Sequence, residues 1–326
     1  MMADLLRDLN PQQQKAVAVP PGPVLVLAGP GSGKTRVLTY RIAYLIAALG
    51  IPPYQIMAVT FTNKAAREMG NRVNHLLGGK ADGLWLGTFH AICGRILRRE
   101  AALLPVNHQY VIFDADDQIT LVKRVIKEKG INDKDYRPGV VLDRISKAKN
   151  DLLGPDEFPI FSFRDEVIRE IYLGYQQYLV ASNAMDFDDM LLYTSNLLED
   201  HPDLREKYAQ RFRHILVDEF QDTNLAQYYL LQNLASVHQN IFVVGDEDQS
   251  IYRWRGADYH NVERFLHKYP GAKKILLEQN YRSTQTILEV AMAVIDENPN
   301  RTGKALFTDR GTGERVVYYE ASDDQD

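Results

Sequence analysis

Ala28-Gly29-Pro30-Gly31-Ser32-Gly33-Lys34-Thr35 decides how this chain is read. An apolar run, Val24 to Leu27, precedes it, and a helix-like run from Arg36 to Leu49 follows. Strand, glycine-rich loop and helix form the setting in which a backbone can cradle phosphate. The glycines let the chain turn so that successive N–H groups point inward as an anion nest. The helix behind the loop adds the positive end of its dipole. Lys34 can reach the β- and γ-phosphates of a nucleotide, and the Thr35 hydroxyl can ligate Mg²⁺. Ala28 stands where the usual pattern opens with glycine. The alternative is a glycine-rich connection that binds nothing, and the flanking strand and helix argue against it.

Outward from this loop, the 326 residues suffice for two domains with sizeable cores. The composition, 45% hydrophobic and 25% charged, is ordinary for a globular protein. The single cysteine, Cys93, excludes an internal disulfide and a cysteine-based zinc site, and suits a reducing compartment. The eight histidines show no metal-ligand spacing. No apolar run reaches membrane length, and the first residues lack a signal-peptide core, so a cytoplasmic location is expected. Net charge is −5, yet residues 1–100 carry 12 Lys and Arg against 5 Asp and Glu. Positive charge around the loop permits a polyanion partner without demanding one.

The rest of the chain alternates. Leu9 to Gln14 leads into a short helix to Val19, which Pro20, Pro21 and Pro23 end. Gln13, just upstream of the loop, can read an adenine edge; a solvated glutamine cluster is the other reading. Ile56 to Phe61 is a buried strand, and Asn63 caps a helix from Lys64 to Leu77. Trp85 to Phe89 is a strand and His90 to Leu103 a helix. From 90 to 212 helical periodicity takes over, at 116–129, 138–150, 163–182 and 187–200, with one short strand at Tyr110 to Phe113. Strands then return at His214 to Val217, Ile241 to Val244 and Lys274 to Leu277, alternating with helices 224–236, 258–269 and 283–296. Such βα succession predicts an α/β fold with a parallel sheet, interrupted by a mostly helical insert. Val316 to Tyr319 is a last strand candidate.

Chemistry-bearing residues gather at strand ends. Asp218 and Glu219 close an apolar strand; Asp218 is placed to hold Mg²⁺, and Glu219 to polarise the water that attacks the γ-phosphate. Gln249, after the next strand, can sense the γ-phosphate. Tyr252, Arg253, Trp254 and Arg255 alternate rings and guanidiniums, a pattern that suits stacked bases and phosphates but also a core tryptophan with surface arginines. Phe61 is a second stacking residue, or a core one. Tyr281 can stack on adenine, and Arg282 can meet charge on the γ-phosphate. His90 can touch a phosphate or serve as a structural histidine.

Taken together, Ala28–Thr35, Thr60–Met69, Gly87–His90, Asp186–Asp189, Asp218–Asn224, Gly245–Asp258 and Leu277–Thr284 resemble, in order, the motifs of the UvrD/Rep/PcrA helicases of superfamily 1. The resemblance runs from Leu9 to Tyr319. It implies RecA-like P-loop NTPase domains that clamp ATP and Mg²⁺ and move 3′ to 5′ on single-stranded DNA in repair and replication. It implies a first RecA-like domain in two parts, 1–89 and 213–282, around the insert 90–212, with the start of a second at 283–326. By position, Gln13, Ala28, Gly29, Pro30, Gly31, Ser32, Gly33, Lys34, Thr35, Arg36, Gln249, Tyr281 and Arg282 match nucleotide contacts. Lys34, Asp218, Glu219, Gln249 and Arg282 match catalytic positions, and Thr35 and Asp218 metal ligands. Phe61, Asn63, Lys64, His90, Tyr252, Trp254 and Arg255 match contacts to DNA. Expected partners are single-stranded and 3′-tailed duplex DNA and repair or replication proteins, with no membrane, a monomeric state and a nucleoid-associated location. The family's later motifs do not occur here, so the expectation is the amino-terminal motor half, with weak hydrolysis and no unwinding by itself. Two other readings remain open: the helicase portion of a helicase–nuclease, and a short ATP-binding module that regulates partners.

Overall fold

A computed structural model describes residues 2–250, 257, 258, 260–298 and 302–320. Its strands are β1 (Val24–Ala28), β2 (Ile56–Thr60), β3 (Trp85–Thr88), β4 (Val111–Ile112), β5 (Ala184–Met185), β6 (His214–Val217), β7 (Ile241–Gly245) and β8 (Lys273–Leu277). Six of them form a parallel sheet in the order β3-β2-β6-β7-β1-β8. The register sets Leu27 opposite Gly245, Ala28 opposite Leu277 and Val59 opposite Val217. All the carboxyl ends therefore lie along one edge, where open α/β sheets bind ligands.

Period-two alternation gives each strand two apolar faces, so both must be covered. Leu25, Leu27, Met57, Val59, Val217 and Val243 face one core. The helices Phe89–Arg99, Phe187–Asp200, Pro202–Arg211, Leu225–Leu234 and His260–Lys268 cover it. Val24, Val26, Ile56, Ala58, Leu216 and Val244 face the other, under Pro11–Val17, Lys34–Ala47 and Asn63–Leu77. A third apolar cluster, from Leu121 to Ala184, belongs to the helices Ala115–Glu128, Pro138–Asn150 and Phe163–Ala181. The short pair β4–β5 ties its ends together, Val111 opposite Ala184 and Ile112 opposite Met185.

Several boundaries differ from the sequence reading, each for a local reason. Thr62, not Asn63, caps the helix that follows β2: its hydroxyl accepts from the Ala65 N–H at 3.1 Å. The helix after β3 ends at Arg99, and a 3₁₀ turn follows at Ala101–Leu103. Pro202–Arg211 gives little helical signal in the sequence, because its polar run buries only Leu204, Tyr208 and Ala209. Val316 to Tyr319 is not a strand; these residues are exposed and no described strand pairs with them. The last helix, Gln285–Ile295, leaves Ile287, Val290 and Val294 exposed. Beyond it the chain comes back to the sheet edge, with Phe307 bridged to Gln279.

Candidate nucleotide site

β1 ends at Ala28, which is fully buried and paired with Leu277. Its methyl is thus packing in the sheet rather than part of the loop that follows. In that loop the Ser32 hydroxyl donates to the Gly29 carbonyl at 2.6 Å. Gly33 takes φ 88°, a left-handed conformation that glycine adopts without a steric penalty, and sits at the N-cap of Lys34–Ala47. No side chain caps that helix. Its first-turn N–H groups are therefore left for an anion, an observation that fits a phosphate. Gly31 leaves room for the next segment: a Cβ there would come within 2.7 Å of the Arg282 Cβ and 2.8 Å of the Asn280 Nδ2. Asn280 donates to the Pro30 carbonyl at 2.6 Å, and the Tyr281 N–H donates to the Gly31 carbonyl at 2.9 Å.

Lys34 is nearly buried, and its ammonium lies 3.2 Å from Glu219 Oε2 and 3.2 Å from Gln249 Oε1. Three loops, those after β1, β6 and β7, thus converge on one cation. Asp218 follows β6, and its N–H donates to the Val59 carbonyl at 2.9 Å. Burial, with the Glu219 charge second and Lys34 pulling back, pushes the Asp218 carboxyl up to about 7. A carboxylate held so unwillingly stands to gain most from a nearby cation. Burial and Glu219 likewise raise Asp222 to about 6. Glu219 itself has φ 48°, an uncommon conformation for a residue with a Cβ, and Gln221 donates to its Oε2 at 2.9 Å. The same Gln221 accepts from the Asp246 N–H at 2.9 Å, so one amide ties the two acidic loops together.

A cavity of about 910 Å³ opens here, lined among others by Thr35, Asp218, Glu219 and Gln249. Thr35 and Asp218 offer the hard oxygen donors that Mg²⁺ takes when phosphates supply other ligands. Among the described residues no cluster of three or more His, Cys, Asp or Glu could hold a metal by itself, and a phosphate-bound Mg²⁺ needs none.

On the other side of the loop lie the residues expected near a base. Gln13 is buried with both ends of its amide engaged: Nε2 donates to the Ser32 carbonyl at 3.0 Å, and Oε1 accepts from the Asn10 N–H. Tyr281 is half exposed, and its hydroxyl accepts from Asn10 Nδ2 at 2.7 Å. Arg36 donates to the Asp8 carbonyl and lies over the Tyr40 ring. Arg282 is exposed, with no ion pair among the described residues.

Phe61 and His90 line the cavity wall. Phe61 is half-buried, edge-on to Phe89 at 5.8 Å. His90 meets the Phe187 ring at 5.6 Å, and burial lowers its pKa, which favours the uncharged imidazole. Asn63 and Lys64 are exposed in the first turn after Thr62. Tyr252, Trp254 and Arg255 lie outside the described residues.

Sequence reasoning gave no role to Gln221, Asn280, Asn150 or Lys304. Gln221 and Asn280 stood inside stretches already singled out. Asn150 ends the helix Pro138–Asn150; it donates to Asp188 at 3.0 Å and accepts from Asn224, six residues beyond Asp218. Nothing in the sequence around Lys304 signalled it.

Residues 9–270 match the UvrD/REP helicase N-terminal domain, and residues 275–326 the UvrD-like helicase C-terminal domain. A protein of Bacillus subtilis (strain 168) named ATP-dependent DNA helicase PcrA is 49% identical over 317 residues, 97% of this chain and 43% of its own length. Proteins of the same name from Staphylococcus epidermidis (strain ATCC 12228 / FDA PCI 1200) and Staphylococcus aureus (strain COL) are each 46% identical over 327 residues, 100% of this chain and 45% of theirs. The chain thus spans less than half the length of these relatives.

Proposed function

We propose that this chain, which belongs to the UvrD/REP helicase family, binds and hydrolyses ATP with Mg²⁺ as the motor part of a DNA helicase. The observation that carries this reading is the convergence of Glu219 and Gln249, each at 3.2 Å, on the Lys34 ammonium. Lys34 and the uncapped first turn of Lys34–Ala47 receive the phosphates. Thr35 and Asp218 would hold Mg²⁺, which when bound offsets phosphate charge. Glu219 orients and deprotonates the attacking water, and Gln249 responds to the γ-phosphate. Arg282 adds positive charge as the terminal bond breaks, while Arg36, Tyr281 and Gln13 take the base side.

The substrate in this reading is single-stranded DNA, travelled 3′ to 5′, with repair and replication as the setting and a nucleoid-associated, monomeric protein as the agent. Unwinding needs two domains that open and close against each other, so we assign it to a longer assembly than these residues. The apolar cluster from Leu121 to Ala184 supports an inserted subdomain. The helices at 89–99, 187–200 and 202–211 pack with the sheet, which favours bounds for that insert narrower than 90–212.

Phe61 supplies the test of the DNA track. Phe61→Ala is expected to weaken binding of a single-stranded oligonucleotide by about 1–3 kcal/mol if a base stacks there. Fluorescence anisotropy measures the affinity, and a melting curve reports the packing lost on Phe89. Full affinity with a lowered melting temperature would make Phe61 a core residue and remove it from the track.

A further inference from the structure

Lys304 lies well beyond Lys34, Asp218 and Gln249 in the chain, yet its ammonium is almost wholly buried against the loop that carries Gln249. It forms an ion pair with Asp246, fully buried, and another with Asp248 at 2.9 Å. The segment that brings it there is anchored on both sides. The Thr302 N–H and hydroxyl donate to Glu247 at 3.0 and 3.2 Å. The Ala305 N–H donates to Glu278 at 2.8 Å, and Leu306 covers Gly29 so closely that a Cβ there would clash with it.

Asp246 has a second partner that matters for chemistry. Its Oδ2 accepts from Gln249 Nε2 at 2.6 Å, and Gln249 Oε1 accepts from the Lys34 ammonium. An ionised carboxylate can only accept. The amide of Gln249 must therefore turn its NH₂ toward Asp246 and its oxygen toward Lys34. A buried carboxylate persists only when a cation compensates it, and Lys304 lies against it.

We propose that Lys304 is a positioning residue for the phosphate-sensing loop: through Asp246 it fixes which end of the Gln249 amide faces the Lys34 site. The inference rests on the proposed nucleotide function and extends it to the segment after residue 301. Remove Lys304, and the buried Asp246 is left without its cation, so it must admit water or move. Either releases Gln249, whose amide is held by the present position of that carboxylate. The orientation of the sensor thus depends on whether the 302–307 segment is seated. ADP lacks the γ-phosphate that Gln249 is proposed to sense, so its binding is expected to depend little on Lys304.

The experiment titrates the chain with the N-methylanthraniloyl derivatives of ATP and ADP in Mg²⁺, comparing the unaltered protein, Lys304→Met, and Lys304→Met combined with Asp246→Asn. The double variant removes both buried charges together and so guards against a single variant that fails to fold. The amide that Asp246→Asn introduces can turn either end to Gln249 and fixes no orientation. Lys304→Met and the double variant are both expected to lose the preference for the ATP derivative by about tenfold, the weight of one charge-assisted hydrogen bond. ADP affinity should stay within about twofold in the double variant. An unchanged preference in Lys304→Met would overturn the inference, as would recovery of the preference in the double variant, which would leave Lys304 a charge balance only. Equal loss of both affinities in the double variant would overturn it too, by making the role structural. An unaltered chain that binds both derivatives alike would show that Gln249 senses nothing. An unaltered chain that binds neither would overturn the functional reading itself, and this inference with it.

Discussion

Glu219→Gln is expected to slow ATP hydrolysis by roughly 10²-fold or more while leaving nucleotide affinity near that of the unaltered chain. The substitution keeps the side chain's shape and its acceptor for Gln221, which donates to Glu219 at 2.9 Å. What it removes is the base that takes a proton from water. Lys34, now 3.2 Å from the Glu219 carboxylate, loses a competitor for its ammonium and is freer to meet phosphate. Binding should therefore hold or tighten as turnover collapses. Single-turnover phosphate release gives the rate, and a fluorescent-nucleotide titration gives the affinity. If both fall together, Glu219 shapes the site and is not its base.

Lys149→Met should cost about 3–5 kcal/mol of folding stability, the usual penalty for stripping one partner from a buried ion pair. Lys149 is completely buried, 2.7 Å from Asp186 and 2.8 Å from Asp189, with the Tyr175 hydroxyl donating to Asp186 at 2.8 Å. Desolvation pulls its pKa down, but Asp186 and Asp189 outweigh it and the net movement is upward, so the ammonium stays charged. Two carboxylates share this one cation. Burial and then the Asp186 charge raise Asp189 above an ordinary carboxyl. A carboxyl raised in the fold binds its proton more tightly there than in the unfolded chain, so its contribution to stability falls as pH rises through the folded pKa. With Lys149 gone that effect grows, and the deficit measured by urea unfolding should shrink between pH 8 and pH 5. A loss below about 1 kcal/mol, or a deficit that grows in acid, would mean that water reaches the cluster.

This lysine shows where sequence reading stops. The loop at Ala28–Thr35 and the strand ends at Asp218 and Gly245 were legible because their chemistry is local: glycines, a lysine and acids at fixed distances along the chain. Strand alternation was legible for the same reason, since period two needs no tertiary knowledge. The Lys149–Asp186–Asp189 cluster joins residues 37 and 40 positions apart in the chain, and no short spacing announces it. Lys304 meets Asp246 across 58 positions. The β4–β5 pair was half seen: Tyr110 to Phe113 has the apolar run of a strand, while Ala184–Met185 is too short to stand out. Val316 to Tyr319 failed the other way, since β-branched and aromatic residues make a strand only when a neighbour offers its backbone.

The loops after β1, β6 and β7 are proposed to make one nucleotide site around Lys34. The most direct test is equilibrium binding of ATP in Mg²⁺ to the unaltered chain and to Lys34→Ala. Saturable one-to-one binding is expected, weakened by about tenfold or more in Lys34→Ala, the loss of one charge-assisted contact to phosphate. Equal affinity in the two proteins, or no saturable binding to the unaltered chain, would contradict it.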